Sequence, residues 1–310
     1  MESVGSPALW VGFLAFVLVM VALDLGIMHR GQQVIGARQA LRTTAIWVSL
    51  ALCFGAGMWL KFGAKIGLEF LTGWVIEYSL SVDNIFVFVI IFSAFRIPQE
   101  LQHRVLFWGV MGALILRITM ILAGAALVQR FHAVLYLFGA FLLFTGLKIL
   151  FTKEAEEEEH PEQNAMVRLA QKIIPTTSQM HGMKFFVEEN GRRMATPLFI
   201  CLLAVEFSDV IFALDSIPAI FAITADPFVV FTSNIFAIMG LRSLYFLLAR
   251  WVGLFRFLKT GLGIVLSFVG VKMLLGIWDI HIPPAASLGV IVSVLVASIV
   301  ASAVIPEKKE

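Results

Sequence analysis

Long runs of apolar residues, broken by short polar connections, set the pattern of this chain. A helix needs about 20 apolar residues to cross the hydrocarbon of a bilayer. Nine runs are long enough, at roughly 8–28, 43–60, 67–95, 105–128, 133–151, 195–223, 228–249, 260–278 and 286–305. The pattern predicts an all-α polytopic protein with nine transmembrane spans. The first run has no Lys or Arg ahead of it, unlike the basic start of a cleaved signal peptide, so it reads as a retained span. One connection, 152–194, is about forty residues long and polar. Its opening, KEAEEEEHPE, places six glutamates between Glu154 and Glu162. Such a run is usually a solvated linker, with cation collection as the alternative. Further on, FFVEENGRRMATP reads as a short extended segment with an Asn-Gly turn and a basic anchor before the sixth span.

Composition agrees with the pattern. Of 310 residues, 60% are hydrophobic and 14% charged, against roughly 45–50% and about 25% in soluble domains. Even a 300-residue soluble domain buries only about 75% of its surface, so the excess faces lipid, and the bilayer is the first partner. The net charge of +2 and the scattered basic residues give no nucleic-acid footprint. Cys53 and Cys201 lie alone in apolar runs, so neither a disulfide framework nor a thiolate metal site is expected, and no resident cofactor is implied.

Lys and Arg fix the orientation. Alternate connections and the C-terminal tail hold sixteen of them, including Arg30, Arg96, Arg193 and Lys309; the opposite connections hold only Lys61, Lys65 and Arg130. The N-terminus is therefore expected outside, with the long loop and the C-terminus in the cytoplasm.

Two stretches repeat one another. Glu77 and Asp83 are six residues apart in EYSLSVDNIF, and Asp209 and Asp215 are six apart in DVIFALDSIP. GALILR, ending at Arg117, is matched by AIMGLR, ending at Arg242; GAFLLFTGLK, ending at Lys148, is matched by GIVLSFVGVK, ending at Lys272. The offsets are 132, 125 and 124 residues. Each copy has three spans, and an odd number reverses the polarity of the second copy. This is the 3+3 inverted-repeat plan of many secondary transporters, whose substrate site lies between the repeats near the midplane. The expected divisions are 1–66 for spans one and two, 67–151 for the first repeat, and 152–194 for the acidic loop. The second repeat then occupies 195–278, and span nine with its tail 279–310.

Charges inside the spans carry the chemistry. Spans three and six hold Glu77, Asp83, Glu206, Asp209 and Asp215. At about 2.5 kcal/mol or more each, five ionised and unpartnered carboxylates would cost on the order of 12 kcal/mol, comparable with the whole stability of a domain, about 5–15 kcal/mol. They must be paired, protonated, hydrated or bound to cations. Ser79, Ser81, Asn84, Ser208 and Ser216 supply neutral oxygens beside them. Glu77, Ser81 and Asn84 share one helix face, as do Glu206, Asp209 and Ser216. Asp83 and Asp215 lie about 240° round a regular helix from their partners and join the same site only if the helices are locally broken. Pro218 offers such a break in span six; span three has no proline. All these ligands are hard oxygens, which favours manganese, magnesium or calcium over zinc or copper. The alternative is a structural charge lattice, with Arg117 and Arg242 as charge partners or a gate. Asn234, in span seven, is either a ligand or a helix–helix hydrogen bond.

EYSLSVDNIFVF (77–88), EFSDVIFALDSIPAIFAIT (206–224) and TSNIFAIMGLRSLYF (232–246) resemble the signature segments of the TerC family, and the chain looks most like its Alx-type bacterial members. The resemblance implies a nine-span inner-membrane protein of the LysE-like transporter superfamily, associated with manganese efflux. By the same resemblance Glu77, Asp83, Asn84, Glu206, Asp209, Asp215 and Ser216 correspond to the acidic and polar motif positions that carry the cation.

The resulting expectation is a secondary transporter exporting Mn²⁺ as substrate, with protons moving inward. Carboxylates crowded in a low-dielectric site cannot all stay ionised, so one holds a proton until a cation displaces it. No G-x-x-x-x-G-K-[ST] sequence implies direct use of ATP, and no H-E-x-x-H or nucleophile–base pair implies an enzyme. A Ca²⁺/cation antiporter, a small-solute exporter and a non-transporting membrane-protein assembly factor remain the alternatives. The orientation is directly testable: a cysteine placed at Glu158 should be shielded from impermeant thiol reagents in intact cells, and labelling there would reverse the topology.

Overall fold

In the computed structural model the described residues are 3–28, 36–131, 133–151, 174–177, 179–189, 191–249, 257–278, 280 and 282–305, without the side chains of residues 23–28, Asp83, Phe86, Gln129 and Asp215. The glutamate run at 154–162 lies outside them. Among the described residues, nine long helices follow the nine apolar runs. They are α1 (Pro7–Met28), α2 (Ala37–Phe62), α3 (Ala64–Ala94), α4 (Gln99–Arg130), α5 (Ala133–Phe151), α6 (Pro197–Phe221), α7 (Pro227–Leu248), α8 (Leu258–Leu275) and α9 (Pro284–Val304). The chain is an all-α polytopic membrane protein. Helices suit this solvent because each satisfies its own backbone, and large apolar side chains such as Leu60, Ile115, Phe151 and Val304 face outward where lipid replaces water.

The extended segment ahead of α6 is a hairpin of β1 (Phe186–Glu189) and β2 (Arg192–Ala195), antiparallel. Gly191 takes the positive φ, 71°, that the turn requires. Thr196 Oγ1 donates to the Lys184 carbonyl (2.8 Å) and the Phe186 ring lies 4.4 Å from that of Phe199, so the hairpin fixes where α6 begins.

Helix α7 is the centre of the bundle. From Phe228 to Tyr245 every residue is buried, the polar Thr232, Ser233, Asn234, Arg242 and Ser243 included, and α2, α3 and α4 pack against it. Its first turn has Pro227 at the first helical position, and Asp226 accepts from the Phe228 and Val229 amides.

The expected helix breaks are absent. α3 runs unbroken from Ala64 to Ala94 and α6 from Pro197 to Phe221, passing through Pro218. The proline lies in the last turn, where the helix ends within a few residues, so its missing donor displaces little. Positions 83 and 215 therefore stay on regular helix, turned away from 77 and 209.

Helix contacts come in exchangeable pairs. α3 meets α7 as α6 meets α4, and α3 meets α8 as α6 meets α5. The tightest crossing is that of α5 with α8. A Cβ on Gly146 would lie 2.7 Å from the Gly263 carbonyl oxygen, and one on Gly270 would lie 2.7 Å from that of Gly139. Gly139 and Gly263 hold matched places in the two stretches, as do Gly146 and Gly270, so each contact is the other with the stretches exchanged. The two helices run antiparallel and approach backbone to backbone, the use that membrane helices make of small residues. Because the obstruction is backbone, Gly270→Val should force the helices apart at about 1–3 kcal/mol. Gly289→Ala, on α9 with nothing within 4 Å of its Cβ, should leave stability unchanged or raised. Thermal unfolding in detergent, followed by size exclusion, checks both; equal midpoints would show that the seam does not hold the bundle together.

Candidate functional site

Arg117 projects from α4 between α3 and α6 and is the largest fully buried side chain among the described residues. Its Nη1 donates to Glu77 Oε1 on α3 and to Ser216 Oγ on α6 (3.0 Å). Its Nε and Nη2 donate to Asp209 Oδ2 (3.3 Å) and Oδ1 (3.1 Å), a bidentate fork. The guanidinium thus joins the two acids that the repeat places in equivalent positions. Glu77 is 1% exposed and Asp209 4%, so neither charge is shared with solvent.

The pairing is incomplete. Two carboxylates face one guanidinium, which leaves one formal negative charge in excess. Glu77 Oε2 is buried without a hydrogen-bond partner among the described residues. An unmet carboxylate oxygen in a low-dielectric interior is costly, and a proton or a further cation would relieve it.

The other expected site residues surround this centre unevenly. Glu206, half-buried on α6, directs its carboxylate at α4, where Gly112 leaves the room that a Cβ would fill. Asn84 and Ser81 are buried on the same face of α3 as Glu77. Ser79 and Ser208 donate to the carbonyls of Val75 (2.6 Å) and Ala204 (2.9 Å), so their protons are committed to the helices while lone pairs stay open. The side chains of Asp83 and Asp215 lie outside the described residues.

Arg242, the repeat counterpart of Arg117, is 9% exposed on α7. With Asp209 it lines a small cavity of about 10 Å³ between α4, α6 and α7, roughly the room for one water molecule. Asn234 is fully buried, and neither its amide oxygen nor its nitrogen has a partner among the described residues. It makes no helix–helix hydrogen bond there.

Glu69 belongs to no motif in the sequence. It is 6% exposed near the start of α3, 3.9 Å from Lys65 one turn earlier. Thr224, Asp226 and Lys272 are its other polar neighbours. The only signal was the i, i+4 spacing to Lys65, which reads as an ordinary pair at a helix end.

Comparison with known proteins agrees with the signature segments. The family described as "Integral membrane protein TerC family" matches residues 62–310. The chain is 59% identical over 300 residues to the "Uncharacterized membrane protein STKORF319" of Myxococcus xanthus, covering 97% of this chain and 93% of that protein. It is 47% identical over 309 residues to the "Putative membrane-bound redox modulator Alx" of Photorhabdus laumondii, covering 97% and 96%. To the "Thylakoid membrane protein TERC, chloroplastic" of Arabidopsis thaliana it is 43% identical over 270 residues, covering 87% and 70%. No solved structure matches. The chain belongs to the TerC family of integral membrane proteins.

Proposed function

We propose that this protein is a secondary transporter that exports a divalent, oxygen-seeking cation, Mn²⁺ foremost, across the inner membrane in exchange for protons. The observation that carries the reading is the buried Glu77–Arg117–Asp209 group, one positive charge short, with Glu77 Oε2 unpartnered among the described residues. Arg117 occupies these acids as a tethered cation would. When it withdraws, Glu77, Asp209 and Ser216 are freed together from two helices of opposite repeats. Asn84 and Glu206 complete the proposed ligand set at this centre, and Asp83 and Asp215, which regular helix turns away from it, join it only when α3 and α6 unwind locally as Arg117 withdraws. An all-oxygen set of this kind suits Mn²⁺, Mg²⁺ or Ca²⁺. The exchangeable helix contacts suit a mechanism in which two inverted repeats swap conformations around a fixed site.

A second reading takes its support from the name of the Photorhabdus relative, a redox modulator. Here it would rest on Cys53, an exposed thiol on α2, since Cys201 is buried. Cellular metal content with and without the protein, at raised external Mn²⁺, separates the two. Lower manganese in cells that carry the protein supports export; unchanged manganese leaves redox modulation or membrane-protein assembly.

Loss of the acids gives a sharper outcome. Glu77→Gln removes the excess charge, and Asp83→Ala and Asp215→Ala each remove a proposed ligand. All three should reach the membrane at normal levels, because removing a carboxylate from a span also removes its desolvation cost, and all three should lose manganese tolerance. Normal tolerance in Glu77→Gln would leave Arg117 and its acids as a purely structural lattice.

Coupling can be read in proteoliposomes. With the exchanged proton assigned to the Asp83/Asp215 pair, an imposed pH gradient should drive uphill Mn²⁺ movement, with protons moving the opposite way. Asp83→Asn should abolish that drive, because an amide still offers an oxygen to the metal but cannot exchange a proton. Flux that carries no protons and is unchanged in Asp83→Asn would make the pathway channel-like.

A further inference from the structure

Helix α1 is attached to the bundle in an unusual way. At its start, the Val4 amide and Ser3 Oγ donate to the Asp226 carboxylate (2.7 and 3.0 Å), the same group that caps α7. One turn further, Trp10 packs on Phe228 and Phe231, with ring centroids 5.2 and 5.1 Å away. Then Phe13 stands against Phe54, Phe228, Phe231 and Phe236 at 5.5–6.1 Å. α1 is thus pinned at its outer end, and a wedge of rings stands between it and the helices beside it.

What the wedge leaves is a groove of about 560 Å³ between α1 and α2, floored by Phe228 and Phe236 of α7. Its walls are apolar, and two facing glycines keep it open. A Cβ on Gly12 of α1 or on Gly57 of α2 would meet nothing within 4 Å. This reverses the α5–α8 seam, where glycines bring backbones into contact. An apolar slot of this size facing hydrocarbon loses dispersion contacts along its whole lining unless something apolar fills it, and water finds no polar partners there.

The end of the groove supplies the second observation. Lys61, in the last turn of α2, lines it. It is exposed, sits 5.3 Å from the Phe62 ring, and has no acidic partner among the described residues. Lys61 is also one of only three basic residues on its side of the membrane. A compact ammonium at the mouth of an apolar slot matches a phosphate at the head of an acyl chain.

We propose that the α1–α2 groove is a seat for one anionic phospholipid, with an acyl chain between Gly12 and Gly57 and its headgroup at Lys61. The bound lipid takes the place of direct α1–α2 packing and rests on α7, the helix that carries Arg242 and Asn234.

Cys53 lines the groove and is exposed, whereas Cys201 is buried, so the protein carries its own reporter. The full chain, delipidated in detergent and then given phosphatidylglycerol or phosphatidylcholine, is treated with a small maleimide, while retained lipid is counted by native mass spectrometry. Phosphatidylglycerol should slow Cys53 alkylation severalfold and be retained at one per chain. Lys61→Gln should lower the preference for phosphatidylglycerol over phosphatidylcholine roughly tenfold, the factor given by about 1.4 kcal/mol. Gly12→Leu with Gly57→Leu, which fill the slot, should abolish retention. Equal retention in the filled variant, or no selectivity for Lys61 to lose, would overturn the proposal. So would slower alkylation of the delipidated wild-type chain, which would mean that α1 closes on α2 by itself; this arm needs no variant to fold.

Discussion

The Arg117 guanidinium lies between two carboxylates that the chain supplies from different helices, and the centre of the bundle is arranged around keeping them together. Taking a carboxylate out of water without a partner costs several kcal/mol even after relaxation. Glu77 on α3 and Asp209 on α6 would both incur that cost if α4 carried an apolar residue at 117. With Arg117 present, three helices share one ion group, and Ser216 accepts a further donor of the same guanidinium. Such a group adds specificity more than stability, because it is satisfied in only one register of α3, α4 and α6. The seam of four glycines between α5 and α8 complements it: the charges fix register in the middle of the bundle, while backbone contact holds the outer pair.

Much of this was legible in the sequence, for reasons that differ from residue to residue. The nine helices were, because an apolar run of span length has one stable form in lipid. Glu77 and Asp209 were, because an acid inside such a run calls for a partner, and because the same six-residue spacing recurs 132 residues later. What Arg117 does with them was not. It lies 40 residues from Glu77 and 92 from Asp209, and spacing along a chain says nothing about which of two similar arginines will reach a given acid. The break at Pro218 was expected from a local rule, but a proline within a few residues of a helix end removes little that the helix still needs. Glu69 was hidden by its nearness to Lys65, since an i, i+4 pair at a helix end looks solvated until the packing of Thr224 and Asp226 against it is known.

The two repeats match in their landmarks and differ in their chemistry. Glu206 on α6 stands where α3 has Trp74, and Asn234 on α7 stands where α4 has Gly109, by the offsets of 132 and 125 residues. At the matched positions after the second aspartates, Asn84 stands opposite Ser216. A symmetric backbone with unlike side chains gives two related arrangements of unequal energy, which the proposed transport cycle requires if its resting state is to favour one side.

Asp209 is where that inequality is concentrated. It accepts the bidentate fork of Arg117 and also lines, with Arg242, the small cavity between α4, α6 and α7. Glu77, its counterpart, contacts Arg117 with one oxygen, and the other has no hydrogen-bond partner among the described residues. The excess negative charge of the group is therefore not spread evenly. Asp209 is the better neutralised of the two acids, and Glu77 is the one that still lacks a positive charge. In a low-dielectric interior that lack acts strongly on anything that can bring one, whether a proton, a divalent cation or a shift of the guanidinium itself. Any of these events must also change the hold of Arg117 on Asp209, because one planar fork cannot turn toward Glu77 without loosening a bidentate pair elsewhere. Occupancy at α3 and the position of α6 are in this way linked through a single side chain of α4.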